Sequence, residues 1–270
     1  MTLKLFIWVL LLSLCLLHPA MATDFPEGTT NILALAQKQP RYQEAIKLNP
    51  GLSPTSDGRS FYLVWKPEGE TPQDWIVSLH GHGSFATDDL VAWTRHLAGK
   101  HIGLISLQWW LGGDDADYYM PNELYREIDI AMRHLNIKPR RIMLEGFSRG
   151  SANIYAVKAM DVQTGNNYFN LTVANAGGAA ADYPPTKAIT SGRFGARPFT
   201  GTTWVTVCGM KDEHPEQDGC PAMRRTAEWI TSMGGIVADR IEDQNLGHGA
   251  LHMSPQNVQH LLDIFQNPNP

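Results

Sequence analysis

Cysteine and basic residues are both scarce in this chain. Its 270 residues include 3 cysteines and 22 lysines and arginines against 27 acidic residues, which gives a formal net charge of −5. The basic residues form no cluster, so the chain lacks the electrostatic footprint of a nucleic-acid-binding protein. A polybasic patch that would hold it at an anionic membrane surface is also missing. No internal repeat or low-complexity tract occurs, which favours one ordinary globular domain.

Long apolar runs are missing except at the start of the chain. Lys4 is the only charge before a run from Leu5 to Leu17, and Ala20-Met21-Ala22 then offers small residues at the positions that signal peptidase recognises. Because the run is short for a membrane span, it predicts a cleaved signal peptide over residues 1–22 and a secreted or periplasmic protein. A retained membrane anchor is the alternative.

Export changes the meaning of the cysteines. Cys15 would leave with the signal peptide, so the exported chain keeps Cys208 and Cys220. Two cysteines close in sequence in an oxidising compartment predict one disulfide bond, which would fasten the loop between them to the sheet. Two buried thiols are the alternative.

Short apolar runs alternate with longer helical patterns from about residue 60 onward. The runs predict strands at Ser60–Trp65, Trp75–Leu79, Gly103–Gln108, Arg141–Glu145, Leu171–Ala174, Thr203–Cys208 and Gly235–Arg240. Helices are predicted at Asn31–Lys38, Asn122–Leu135, Ser151–Ala159, Pro221–Met233 and Pro255–Phe265. This alternation predicts an α/β fold, with a mostly parallel central sheet and helices on both faces.

The same pattern predicts the domain organisation. We expect residues 23–58 to form an N-terminal segment and residues 59–270 to form one α/β domain without a large cap. We expect the first predicted strand, Ser60–Trp65, to pair with Trp75–Leu79 as an antiparallel edge. The stretch Tyr183–Thr202, rich in proline, glycine, arginine and threonine, reads as a long loop or a lid.

The strongest chemical signal is Gly146-Phe147-Ser148-Arg149-Gly150, between a predicted strand and a predicted helix. A nucleophile on a sharp strand-to-helix turn needs small neighbours, because the backbone is crowded there. Ser148 is therefore the candidate nucleophile, and a tight turn whose serine only caps the helix is the alternative. A serine hydroxyl also needs a base that takes its proton.

Two later motifs offer that base and the acid that orients it. Asp212 follows the strand Thr203–Cys208, at the edge where open α/β sheets bind ligands, and its nearest rival is Glu213. His248 lies between two glycines after the last predicted strand, with His252 as its rival. The order serine, acid, histidine suits a hydrolase of this architecture.

An oxyanion hole and a pocket have candidates too. His80-Gly81-His82-Gly83 follows an early strand, so the backbone N–H of His82 or Gly83, together with that of Arg149, would stabilise a developing negative charge. Trp109 and Trp110 follow another strand and would either line a substrate pocket or pack a loop over the core. His80 and His82 have no third partner at metal-ligand spacing, so no metal site is expected.

Together these four motifs resemble the α/β-hydrolase superfamily over about residues 60–265. Among its members the chain is most similar to compact esterases of the dienelactone hydrolase and polyhydroxybutyrate depolymerase type. The resemblance implies ester hydrolysis through an acyl-serine intermediate, without a cofactor, on a small-molecule or polymeric ester. A peptidase or acyltransferase using the same three residues is a second reading. A non-catalytic exported binding protein is a third.

Overall fold

The computed structural model describes residues 25–136 and 140–267, so the predicted signal peptide lies outside the described residues. In this part of the chain one sheet has the strand order β1-β2-β4-β3-β5-β6-β7-β8. Its strands are β1 Gly51–Pro54, β2 Phe61–Trp65, β3 Asp74–Leu79, β4 Ile102–Leu107, β5 Arg141–Phe147, β6 Leu171–Asn175, β7 Thr203–Gly209 and β8 Ile236–Asp243. All seven predicted strands are present.

Helices precede β1, occupy each connection from β3 to β8, and follow β8. They are α1 Glu27–Ala36, α2 Tyr42–Lys47, α3 Ala86–Leu97, α4 Pro121–His134, α5 Arg149–Thr164, α6 Pro184–Thr190, α7 Cys220–Ser232, α8 Ala250–Met253 and α9 Pro255–Gln266. In α4, α7 and α9 a proline occupies one of the first two positions, where a missing N–H costs no hydrogen bond. None of the helices in the described ranges is both long enough and apolar enough to cross a membrane.

The sheet is parallel from β4 through β3 to β8 and antiparallel at the β1–β2 edge. Successive side chains of a strand point to opposite faces, so both faces of the central strands enter a core. On β3, Val77 contributes to the core on one face, and Ile76 contributes to the core on the other. This double burial explains why the central strands read as continuous apolar runs in the sequence.

The predicted edge pairing was wrong. β2 pairs with β4, with Tyr62 opposite Leu107, rather than with the strand that follows it in sequence. β3 is instead enclosed between β4 and β5 and is parallel to both. The antiparallel character of β2 was correct, but a strand that is buried on both faces gains more at the centre of the sheet than next to an edge.

Two further segments differ from expectation. The N-terminal segment contributes β1, which pairs with β2 and widens the sheet. The predicted long loop Tyr183–Thr202 contains α6, whose Pro185 and Ile189 are buried. Helices α2, α3 and α8 were also missed.

Candidate active site

Ser148 lies on the sharp turn between β5 and α5. Its backbone angles, φ 55° and ψ −118°, lie in a region that residues other than glycine rarely adopt and that costs about 1–3 kcal/mol. The backbone N–H of Ser148 donates to the carbonyl of Asn175 at the end of the neighbouring strand, at 2.8 Å. This hydrogen bond and the connection from β5 to α5 hold Ser148 in its strained conformation.

The glycines around this turn are required by space. A Cβ on Gly146 would lie 2.6 Å from the carbonyl oxygen of Gly150. A Cβ on Gly150 would collide with the carbonyl oxygen of Leu79 at the end of β3. At both positions that the sequence motif fixes as glycine, helix, turn and sheet therefore leave no room for a side chain.

Asp212 and His248 meet at the ends of β7 and β8. The Nδ1 atom of His248 lies 2.9 Å from Oδ2 of Asp212. The other carboxylate oxygen, Oδ1, accepts the backbone N–H of His214 at 2.8 Å. Asp212 is only 7 % exposed, and each of its two carboxylate oxygens has a hydrogen-bond partner. The carboxylate orients the imidazole and leaves Nε2 available to accept a proton.

The rival residues lie elsewhere. Glu213 is exposed, and it is not among the residues that line the cavity described below. His252 is buried against the indole of Trp93, with 4.9 Å between ring centroids. Burial lowers the pKa of His252 to about 4, and the neighbouring His96 and Arg41 act in the same direction. Neither rival takes part in the contact between Asp212 and His248.

Ser148 and His248 line one open cavity of about 790 Å³, together with His82, Arg149 and Asp218. His248 also packs against Phe147, with 4.9 Å between ring centroids. The carboxyl ends of β3, β5 and β7 meet around this cavity, as expected for ligand sites in open α/β sheets. The structure thus brings the candidate nucleophile, base and oxyanion loop together.

The turn that follows β3 approaches the nucleophile closely. A Cβ on Gly81 would lie 3.3 Å from the Cβ of Ser148. Of the proposed oxyanion donors, the N–H of Gly83 already donates to the hydroxyl of Tyr118 at 2.9 Å. The backbone N–H groups of His82 and Arg149 have no hydrogen-bond partner within residues 25–136 and 140–267. Those two amides therefore remain the candidate donors.

Tyr118 connects the two segments that carry these amides. Its hydroxyl lies 3.1 Å from Nδ1 of His82, and its ring lies beneath the guanidinium of Arg149 at 4.2 Å. Nη1 of Arg149 in turn donates to Nδ1 of His82 at 2.9 Å and to the carbonyl of Asp115 at 2.6 Å. One tyrosine thus couples the turn after β3 to the first residue of α5, and sequence reasoning did not single it out for this role.

The structure does not bring Trp109 or Trp110 into the cavity. Trp109 is 1 % exposed, and its indole N–H donates to the carbonyl of His80 at 2.9 Å. Trp110 packs edge-on against Phe85, with 5.4 Å between ring centroids. Trp109 is thus fully buried and Trp110 is partly buried against the core, so the geometry supports packing, the alternative reading for these two residues.

His80 is also a packing residue. Its Nδ1 contacts the carbonyl of Gly81 at 2.8 Å, and its Nε2 accepts the backbone N–H of Trp109 at 3.3 Å. Burial lowers its pKa to about 4, so the ring is neutral at ordinary pH. No three His, Cys, Asp or Glu side chains in the described ranges are grouped so that they could hold a metal ion.

The predicted disulfide is formed between Cys208 and Cys220, whose Cα atoms lie 5.1 Å apart. It joins the end of β7 to the start of α7 and closes the intervening loop, which carries Asp212 and Asp218. We call residues 209–219 the disulfide-closed loop.

A pair of buried carboxyl groups lies beneath the nucleophile turn. The hydroxyl of Ser78 lies 2.9 Å from a carboxyl oxygen of Glu145 on β5 and 2.7 Å from one of Asp89 on α3. It donates its single proton to one of them, and the other carboxyl group, when protonated, donates to the hydroxyl oxygen. Glu145 also accepts the side-chain N–H of Asn175 at 3.0 Å. Burial raises the pKa of Glu145 to about 7 against these hydrogen bonds, and burial and the nearby Glu145 also raise the pKa of Asp89. The nucleophile strand therefore rests on carboxyl groups that favour their protonated form.

No protein-family model matches this chain, and no curated protein matches it either. Solved structures do match. Esterases from the fungus Rhizomucor miehei align with TM-score 0.61 and 14 % identity over 89 % of this chain and 97 % of theirs. An esterase of Pyrobaculum calidifontis aligns with TM-score 0.60 and 14 % identity, over 88 % and 97 %. An α/β serine hydrolase homologue from Coxiella burnetii aligns with TM-score 0.57 and 14 % identity, over 82 % and 97 %.

These likenesses agree with the strand order and the parallel sheet described above. The chain therefore has the α/β-hydrolase fold, as the sequence motifs indicated. The narrower resemblance to dienelactone hydrolases and polyhydroxybutyrate depolymerases stays a prediction.

Proposed function

We propose that this chain is a serine hydrolase that cleaves carboxylic esters through an acyl-serine intermediate. One observation carries the proposal. Ser148, in a strained turn, shares a cavity with His248, whose Nδ1 lies 2.9 Å from a carboxylate oxygen of Asp212. A capping serine would need neither the strained backbone nor a histidine and carboxylate beside it. The fold shared with solved esterases adds support without determining the reaction.

In the proposed reaction, Nε2 of His248 accepts the proton of Ser148 while Oγ attacks the ester carbonyl carbon. The carbonyl π electrons move to oxygen and form a tetrahedral oxyanion. His248 then returns the proton to the departing alkoxide, so that an alcohol leaves and the acyl group stays on Oγ. Water repeats the attack with the same proton relay, and releases the carboxylic acid and free Ser148.

Asp212 keeps the proton of the neutral imidazole on Nδ1 and stabilises the imidazolium that forms during each step. The free backbone N–H groups of His82 and Arg149 are the proposed oxyanion donors. Each preorganised donor of this kind contributes on the order of 3 kcal/mol to the transition state. The substrate is a small-molecule or polymeric ester, and this chemistry needs no cofactor.

A fluorophosphonate probe tests the proposal without a known substrate. It requires only an activated serine, and intact mass reports the covalent adduct. We expect labelling of the purified protein, none in Ser148→Ala, and much slower labelling in His248→Ala. Ser191→Ala, which removes an exposed hydroxyl far along the chain, is the matched control and should label like the wild type. A folded wild-type sample that stays unlabelled would contradict the proposal.

We also propose that the protein is exported and loses residues 1–22. The disulfide between Cys208 and Cys220 supports this, because such bonds persist mainly in oxidising compartments. Expression of the full chain with its own leader, followed by N-terminal mass analysis, tests it. A product that begins at Thr23 in the periplasm or medium is expected, and an uncleaved chain that stays in the cytoplasm would contradict it.

A further inference from the structure

Asp218 is a buried carboxylate that the proposed mechanism does not use. It lies on the disulfide-closed loop, lines the cavity that contains Ser148, and is 9 % exposed. Within the described ranges no donor reaches its carboxylate oxygens; only the charges of His248, Asp212 and His214 act on it. Its carboxylate oxygens are not among the fully buried polar atoms of the described residues, so they are open to the cavity, where a bound positive charge would repay their partial desolvation.

The rest of the cavity does not supply the missing positive charge. Arg149 is the one lysine or arginine among the lining residues in the described part of the chain. Its guanidinium is committed to His82, Asp115 and the ring of Tyr118, on the oxyanion side of the cavity. Glu216, which also lines the cavity, is already paired with Arg225 at 2.8 Å.

A second carboxylate adds to the negative charge. Asp182 lines the same cavity and is exposed. The charge of Glu216 is offset by Arg225. The two negative charges of Asp182 and Asp218 then outnumber the one positive charge of Arg149, so the net charge of the cavity lining is negative when its histidines are neutral. A negative cavity attracts cations and repels carboxylate-bearing substrates.

The aliphatic side chains in the lining are short. They are residues such as Ala152, Ala180 and Pro184, and no larger aliphatic side chain lines the cavity in the described ranges. Burial raises the pKa of Asp218, the charge of Asp212 adds to this effect, and His248 and His214 oppose it. A cation bound beside Asp218 would also lower the pKa of Asp218.

We propose that Asp218 is the anionic centre of a substrate subsite that binds a cationic group, an ammonium or a guanidinium, carried by the ester. The inference rests on the proposed function and names the substrate class of the same site. The cationic group would lie beside Asp218 and neutralise its charge while the carbonyl lies between Ser148 and the oxyanion amides. Asp182 supplies the second negative charge of the subsite.

Pairs of esters that differ only in charge test the subsite. On the alcohol side, acetylcholine is compared with 3,3-dimethylbutyl acetate, which has the same shape with carbon in place of nitrogen. On the acyl side, 4-nitrophenyl 6-aminohexanoate is compared with 4-nitrophenyl heptanoate. We expect kcat/KM for the cationic member of at least one pair to be about tenfold higher, and the preference to shrink as ionic strength rises.

Asp218→Asn keeps the size of the side chain and removes its charge. It should reduce the cationic preference, the ratio of kcat/KM values within a pair, by about tenfold. Glu213→Gln is the matched control, because it removes an exposed carboxylate from the same loop outside the cavity, and it should keep the ratio. Equal rates within both pairs in the wild type, or an unchanged ratio in Asp218→Asn, would overturn the inference.

A binding measurement separates this result from a failure of the proposed function. Choline and 6-aminohexan-1-ol are titrated into the wild-type protein and Asp218→Asn by calorimetry. Binding of either cation to the wild type that weakens in Asp218→Asn supports the subsite even if no ester is hydrolysed. If esters are hydrolysed and the serine labels, yet neither cation binds and no pair shows a preference, the subsite is excluded and the hydrolase stands.

Discussion

The disulfide-closed loop and the turn His80–Gly83 lie on opposite sides of the nucleophile strand, because β3 is next to β5 on one side and β7 lies beyond β6 on the other. The loop is closed covalently and carries two carboxylates. Asp212 has a donor on each oxygen, whereas Asp218, six residues later, has none within the described ranges. The turn has no covalent closure and is tied by the hydroxyl of Tyr118. The proposed acid of the site is thus held by two hydrogen bonds, whereas Asp218 lacks such bonds in the described part of the chain.

The contrast between the two carboxylates predicts the largest effect. Asp212→Asn removes the negative charge that orients and stabilises His248, so kcat on a neutral ester should fall by about 10³–10⁴-fold. Glu213→Gln, on the same loop, should leave kcat unchanged. Steady-state rates on 4-nitrophenyl acetate measure both. An Asp212→Asn enzyme with near-wild-type kcat would mean that another residue orients the histidine.

Removal of the disulfide bond tests how much the covalent closure of the loop stabilises the fold. Cys208→Ala with Cys220→Ala frees a loop closed over a sequence separation of 12, which should reduce the free energy of unfolding by about 3 kcal/mol. Denaturant unfolding of the double variant and of wild type measures the loss. Reduced wild type is the control and should match the double variant. Equal stability of oxidised and reduced protein would contradict a constraining bond.

The hydrogen-bonded turn predicts a smaller effect on the other side. Tyr118→Phe keeps the ring beneath Arg149 but frees the N–H of Gly83, so the turn loses one of its fixed points. We expect kcat to fall about tenfold with KM little changed, since the loss concerns the oxyanion more than the bound ester. Affinity for a boronic acid, whose adduct carries the charged oxygen, should fall in parallel.

Tyr168→Phe is the control for that variant, because its hydroxyl donates to Asp129 away from the cavity. It should match the wild type in both kcat and boronic acid affinity. If the Tyr118→Phe variant loses thermal stability but keeps kcat and boronic acid affinity, Tyr118 has a structural role and does not position the oxyanion donors.

The buried carboxyl groups beneath Ser148 predict the smallest effect. The pKa of Glu145 is raised to about 7, whereas an exposed glutamate in the unfolded chain titrates near its ordinary pKa of about 4.3. The folded state therefore binds more protons between these values, and stability is lost as pH rises through the window. Glu145→Gln cannot ionise, so its unfolding free energy should fall less than that of the wild type from about pH 5 to about pH 6, by about 1 kcal/mol.

Thermal unfolding across that range measures this difference, with exposed Glu68→Gln as control. Glu68→Gln should follow the wild-type curve. A Glu145→Gln curve parallel to wild type would show that the carboxyl is not protonated in the folded state.

The sequence predicted the central strands well because each is buried on both faces and reads as a continuous apolar run. It did not predict α3, whose buried face includes Thr87 and Asp89 beside Leu90 and Trp93, so its apolar stripe is interrupted. The neighbours of β2 depend on contacts between distant segments, which local patterns do not contain. The same limit applies to β1, a short strand with no fully buried residue.

The candidate site shows the same division. Local motifs point to Ser148, Asp212 and His248, because each follows a strand and because glycines lie close to Ser148 and on both sides of His248. Tyr118 and Asp218 have no local motif, and their roles arise only where distant segments meet around the cavity. The sequence suggested a substrate pocket at Trp109 and Trp110 because large aromatic side chains often line pockets. The same apolar area packs equally well in a core.

The strained backbone of Ser148 has a consequence for how this protein would evolve. Glycine at that position would adopt the same φ and ψ without the steric cost, and so release about 1–3 kcal/mol into folding. Selection for heat resistance alone would therefore favour loss of the serine. Only selection for the function of its hydroxyl opposes that loss. A library screened for survival at high temperature, with no assay of turnover, should accumulate replacements at residue 148.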